Sequence, residues 1–161
     1  MPTKPLSSRI AVLTALTLLV LLRCGSALAA DAPTATPETP ARPSNPGGTG
    51  PAVSLAGDAG NGAALFKTSC AICHGPEGKG AVPNPGSTDG TVPALNPIDP
   101  AIAGASAREF IANTDLFLEH GSRPEGPKPK MEMPAWGDTQ AFEPQQIADL
   151  IAYLLRLNKR E

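Results

Sequence analysis

Three stretches of the chain repeat apolar residues at helical spacing. The first runs from about Asp58, placed as an N-cap, to Ser69, with Ala63, Phe66 and Cys70 within reach of one face. The second opens at "SARE", where Ser106 and Glu109 form a capping box, and Phe110, Ile111, Thr114, Phe117 and Leu118 give it one apolar side. Gly121 stands just past its expected end. The third opens at "EPQQ", with Pro144 in the first turn, where its missing N–H costs nothing. Ile147, Leu150, Ile151, Leu154 and Leu157 then recur on one face, and Arg156, Lys159 and Arg160 suit the negative end of the helix dipole. A Pro/Gly-rich loop of about 75–105 separates the first two. No strand pattern and no internal repeat stands out, so the pattern predicts an all-α fold of three main helices with long loops.

The amino-terminal third reads differently. Lys4 and Arg9 precede an apolar run from Ile10 to Leu22, and the small-residue stretch "GSALAA" follows. A basic start, a short apolar centre and an Ala-x-Ala end are the parts of an export signal. The run is well short of the roughly 20 residues that span a bilayer as a helix. Residues 1–30 are therefore read as an export signal cleaved after Ala29 or Ala30. Two rival readings are a lipid-bearing Cys24 in "LLRCG" and an uncleaved anchor; Arg23 fits the lipid signal poorly. All three place the working part of the protein outside the cytoplasm, in the periplasm or on the outer face of the cytoplasmic membrane.

Residues 31–56 are rich in Pro, Ala, Thr and Gly and contain no aromatic residue, which predicts an extended linker. Every aromatic lies beyond it, so the folded domain is expected over 57–161, a length small for a self-sufficient hydrophobic core. Aromatics are only 4% of the chain, while Gly and Pro number 16 and 19, so something besides side chains is expected to help fill that core. A formal charge of −2 gives no basic patch for nucleic acid.

The chemistry concentrates in "SCAICHGPEG", where Cys70, Cys73 and His74 fall within five positions. A redox dithiol of the thioredoxin kind would follow a strand, and no strand is predicted. A structural zinc needs four ligands; Cys70, Cys73, His74 and His120 reach that number only with adjacent Cys73 and His74 sharing one tetrahedron. A disulfide between Cys70 and Cys73 would close a very small ring and leave His74 without a role. Covalent haem attachment uses all three residues: Cys-x-x-Cys-His is its signature, each thiol adding to one vinyl group and the His binding the iron. One haem c with iron is thus expected, and this flat apolar group also accounts for the missing core volume. Met131, Met133 and His120 are the candidates for the remaining iron position.

At this point the sequence resembles the class I (mitochondrial-type) c-type cytochromes, mono-haem and exported. The resemblance covers Gly57 to about Asn158. It rests on "CAICHG", on "MPAWGD" before a terminal amphipathic helix, and on Gly62 and Phe66 in the first helix with Tyr153 in the last. It implies a small cytochrome c-like fold wrapped around the haem. In that family the Met before Pro-Ala-aromatic-Gly is the distal ligand, which maps to Met133. The glycine and aromatic of the first helix pack against the aromatic of the last. A proline after the attachment site lends its carbonyl to the proximal His, making Pro93 of "TVPALNP" the candidate. Trp136 either contacts a haem propionate or packs. Lys128 and Lys130 either steer an acidic partner or form a solvated basic loop.

Met/His ligation closes the iron to substrates and supports electron transfer, with no residue acting as acid, base or nucleophile. The implied role is single-electron transport in a respiratory or photosynthetic chain. The implied donor is a membrane quinol-oxidising complex, and the acceptor a terminal oxidase or photosynthetic reaction centre. The protein would be either diffusible or a subunit tethered through its amino terminus. The competing expectation is a five-coordinate haem protein that binds gas or peroxide, as a sensor or enzyme.

Overall fold

The computed structural model describes residues 48–160. The stretch read as signal or anchor, Cys24 and most of the linker lie outside the described residues. Among the described residues five α-helices form: α1 (Ala59–Leu65), α2 (Ala71–His74), α3 (Pro100–Ala103), α4 (Ala107–His120) and α5 (Pro144–Leu157). Among the described residues β pairing is confined to two isolated bridges, Pro83 with Thr91 and Ser122 with Met133. The fold is all-α. None of the described helices is long and apolar enough to cross a membrane.

Local chemistry sets the helix ends. The Asp58 carboxylate accepts from the N–H groups of Gly60 and Asn61 at 2.8 Å each and starts α1. Ser106 and Glu109 exchange their bonds as a capping box and start α4. Pro144 sits in the first turn of α5, and Gln146 Oε1 accepts from the Glu143 N–H at 2.8 Å. The last carbonyls of α4 are claimed by the chain beyond it: Phe117 by Gly121 N, Leu118 by Gly137 N and Glu119 by Asp138 N. Gly121 has φ +69, and an added Cβ would meet the backbone of Pro134 and Ala135, so this turn needs glycine.

The first helix outruns its expected end at Ser69. A π-helical turn, Phe66–Cys70, joins α1 to α2, and helical backbone continues to His74. The loop of about 75–105 hides α3, which the Asp99 side chain caps through Ala101 N, with Pro100 in its first turn. The stretch read as linker also needs correction at its carboxyl end. Pro51–Ser54 form a 3-10 turn that puts Ala52 into the core at 2% exposure, and Gly50 N donates to Asp115 at 2.6 Å. Ordered packing therefore starts by Gly50, because Ala52 supplies apolar surface and Asp115 an acceptor.

The core is built on the crossing of α1 and α5. Phe66, Phe110, Ile147, Leu150, Ile151 and Leu154 are buried there with Leu118 and Ala148. Gly62 lets the two backbones meet: an added Cβ would lie 2.6 Å from the Asp149 carbonyl carbon and 2.8 Å from Tyr153 Cβ. The Phe66 and Tyr153 rings pack beside it, centroids 5.3 Å apart and tilted by 50°. Asp149 reaches across the crossing, accepting from Asp58 N at 2.7 Å and Gln145 Nε2 at 3.0 Å. Burial works against its charge, yet these bonds hold its carboxyl below the usual range. At the far end of α5, Asn158 accepts from Ile98 N and donates to the Leu95 carbonyl, which ties the 95–98 loop to the helix.

Candidate haem site

The helix that packs on α5 also delivers the three residues of the Cys-x-x-Cys-His motif. Cys70 closes the π turn, Cys73 lies in α2 and His74 ends it. Both cysteine side chains are half-buried, no disulfide joins them, and Cys70 packs against the core. Burial, with the Cys73 thiol second, pushes the Cys70 thiol up to about 11. Ile72 between them is 81% exposed, on the side of the helix turned away from the Cys70–Cys73 pair.

His74 Nδ1 stands 3.0 Å from the Pro93 carbonyl oxygen. An acceptor there places the proton on Nδ1 and leaves the Nε2 lone pair for a metal. Burial lowers the His74 pKa, with the Pro93 bond opposing, which favours the neutral ring that can ligate. The loops arrange this contact by pairing. Gly80 N donates to the His74 carbonyl at 2.8 Å, and Leu95 N to the Gly78 carbonyl at 2.7 Å. Lys79 Nζ reaches the Asn96 carbonyl, and Asn96 Nδ2 the Glu77 carbonyl, at 3.0 Å each.

The second candidate segment is pinned to the end of α4. Met133 and Ser122 exchange backbone bonds of 2.8 and 3.1 Å, and the Met133 side chain packs half-buried against the core cluster that also holds Cys70. Trp136 stacks on Phe142, centroids 4.5 Å apart and 10° from parallel, which fixes the turn after Met133. Met131 is half-buried too but is not among the side chains packed on that cluster, and its backbone is held by Asn84. His120 is engaged elsewhere: Nδ1 lies 2.9 Å from the Asp138 carboxylate and Nε2 2.7 Å from the Gly48 carbonyl. Among the described residues no three His, Cys, Asp or Glu side chains gather as a metal site, so the four zinc candidates do not converge.

Two cysteines one helical turn apart, followed by an imidazole whose Nδ1 is held by Pro93 and whose Nε2 is left for a metal, fit covalent haem and do not assemble a four-ligand zinc site. Half-buried Leu95, Met133 and Cys70 leave apolar surface against the core for a flat group to cover. Sequence reasoning found these residues but missed Asn84, whose polar side chain in a Pro/Gly loop gave no pattern to read. The arrangement is that of a small helical haem c protein with one attachment motif. The family model for cytochrome c matches residues 59–158, and the chain belongs to the cytochrome c family. A protein of Synechocystis sp. (strain PCC 6803) described as cytochrome c-553-like is 30% identical over 105 residues, covering 65% of this chain and 74% of the relative. No solved structure matches. As a member of the family, the chain carries covalently bound haem c with its iron and is an electron-transfer protein.

Proposed function

We propose that the protein is a mono-haem carrier of single electrons, with Cys70 and Cys73 as the thioether residues and His74 and Met133 as the two axial ligands. Bound haem supplies reversible one-electron Fe(III)/Fe(II) chemistry at a raised potential. The chain's part is to hold and shield. The α1–α2 helix fixes the attachment residues, and the Pro93 carbonyl orients the His74 ring and raises its basicity. The Ser122 pairing and the Trp136–Phe142 stack fix the backbone on either side of the Met133 thioether. Contact of the Trp136 indole N–H with a haem propionate belongs to the same proposal.

The observation that carries this reading is the division of labour among the three ligand candidates. Met133 alone of the two candidate methionines packs into the cluster shared with Cys70, while both ring nitrogens of His120 have other partners. The partners proposed are a membrane quinol-oxidising complex as donor and a terminal oxidase or photosynthetic reaction centre as acceptor. Lys128 and Lys130 are exposed in the loop before Met133 and suit an acidic docking face. Export, by a cleaved signal or by a retained or lipidated anchor, is proposed on the sequence of residues 1–30, with the linker as tether in the anchored forms.

The test is the sulfur-to-iron charge-transfer band of the oxidised protein. It is expected in the wild type and in Met131→Leu and absent in Met133→Leu. A band that survives in Met133→Leu overturns the assignment. Ready carbon monoxide binding by the reduced wild type would favour the gas- or peroxide-binding alternative.

A further inference from the structure

We infer that Asn84 is a positioning residue for the distal ligand. The loop hairpin of residues 81–92 that carries it braces the segments of both iron ligands at once. This rests on Met133 being the distal ligand, as proposed above.

Asn84 is one of the few polar side chains in the interior, at 1% exposure, and it lies in a loop. All of its amide bonds go to one place. Nδ2 donates to the Met131 carbonyl at 3.0 Å, and Oδ1 accepts from Met131 N at 2.9 Å and Lys130 N at 3.1 Å. A buried amide is tolerated only when satisfied. Here its satisfaction fixes the backbone two residues before Met133. The backbones on either side join the clamp: Lys130 N reaches the Pro85 carbonyl at 3.1 Å, Lys128 N the Gly86 carbonyl at 3.3 Å, and Thr88 N the Glu125 carbonyl at 2.7 Å.

The same hairpin ends on the other ligand. Ala81 N donates to Val92 at 3.1 Å, Val92 N to Val82 at 2.8 Å and Asn84 N to Gly90 at 2.8 Å, while Ser87 Oγ closes the turn on the Asn84 carbonyl at 2.8 Å. Pro93, next in the chain, presents its carbonyl to His74. One short unit thus contacts the proximal imidazole at its end and the methionine segment at its middle. Freed of the Asn84 bonds, Met131 loses both of its backbone partners, while Lys130 keeps the Pro85 bond, Glu132 the Arg123 pair and Met133 the Ser122 bridge, and the methionine segment opens more often.

The experiment uses the oxidised, haem-loaded protein and imidazole as a competing ligand. Imidazole binds only molecules in which the methionine has left, so its apparent affinity reports the open fraction. Asn84→Ala leaves the part-buried N–H and carbonyl of Met131 without their partner and is expected to raise that affinity roughly tenfold. Asn84→Asp keeps the acceptor oxygens but, as a carboxylate, sets a charged oxygen against the Met131 carbonyl, so it too is expected to raise the affinity. It also carries the comparison should the alanine variant not accumulate. Asp89→Ala at the exposed hairpin tip stays at the wild-type value. The titration is run well below the unfolding temperature, where a merely structural role leaves imidazole affinity unchanged. Affinities for Asn84→Ala and Asn84→Asp within twofold of wild type overturn the inference. A wild type without the sulfur-to-iron band, or a band that survives in Met133→Leu, points instead to failure of the ligand assignment on which the inference rests.

Discussion

Replacing Gly62 by alanine tests the geometry that carries the attachment helix. An alanine in a helix interior gains about 1 kcal/mol over glycine from backbone entropy. Against that, its Cβ would sit 2.6 Å from the Asp149 carbonyl carbon and 2.8 Å from Tyr153 Cβ. Carbon atoms in contact prefer about 3.5–4.0 Å, so α1 and α5 must separate by roughly 1 Å. Overpacking of this kind costs about 1–3 kcal/mol, and a backbone neighbour that cannot rotate away puts the cost at the upper end. The clash wins, leaving a net loss of about 2 kcal/mol, or roughly 10 °C for a domain near one hundred residues. Gly60→Ala is the control: it lies in the same helix, and its Cβ would meet only the Asp58 carboxylate oxygen, at 3.0 Å. Thermal unfolding of the haem-loaded variants, followed by circular dichroism, checks both. A Gly62→Ala protein as stable as wild type would refute the close-crossing account.

Other predictions bear on charge and capping. Its bond to Asp138 first, and the Gly48 carbonyl next, raise the His120 pKa above its ordinary 6.5. The stability this contributes is therefore full below pH 6.5 and is lost as pH rises through the folded-state value. Asp115 and Glu119, facing it from α4, have carboxyls raised chiefly by burial and act in the same direction from lower pH upward. Urea unfolding across this range is expected to show a fall above pH 6.5 that His120→Gln removes; an unchanged profile in that variant contradicts the reading. Ser106→Ala removes the cap of α4 and is expected to cost about 1 kcal/mol by urea unfolding. A loss below a few tenths would mean that Glu109 caps the helix alone.

How much could be read from the chain depended on whether a residue's role was local. The Ser106 capping box, Pro144 in the first turn of α5 and Gly121 at the end of α4 each act within a few positions, and all were legible. The course beyond Ser69 was not, because a π turn shifts the apolar face and leaves Ile72 exposed where a regular helix reads as ended. Asp99 followed by Pro100 was a start signal for α3, masked by the surrounding Pro/Gly composition. The packing of Ala52 and the bonds of Asn84 depend on partners dozens of residues away, and no periodicity announces them. At the site, the spacing of Cys70, Cys73 and His74 and the resemblance-based choice of Pro93 named residues that the structure brings together, with the Pro93 carbonyl on the His74 ring. The brace on the methionine side needed three dimensions.

X-ray absorption at the iron edge, on the oxidised and the reduced protein, tests most directly the claim that the chain fills both axial positions. A single sulfur in an otherwise nitrogen coordination shell, present in both redox states, is the predicted result. A shell without sulfur, or one that loses a ligand on reduction, would contradict it.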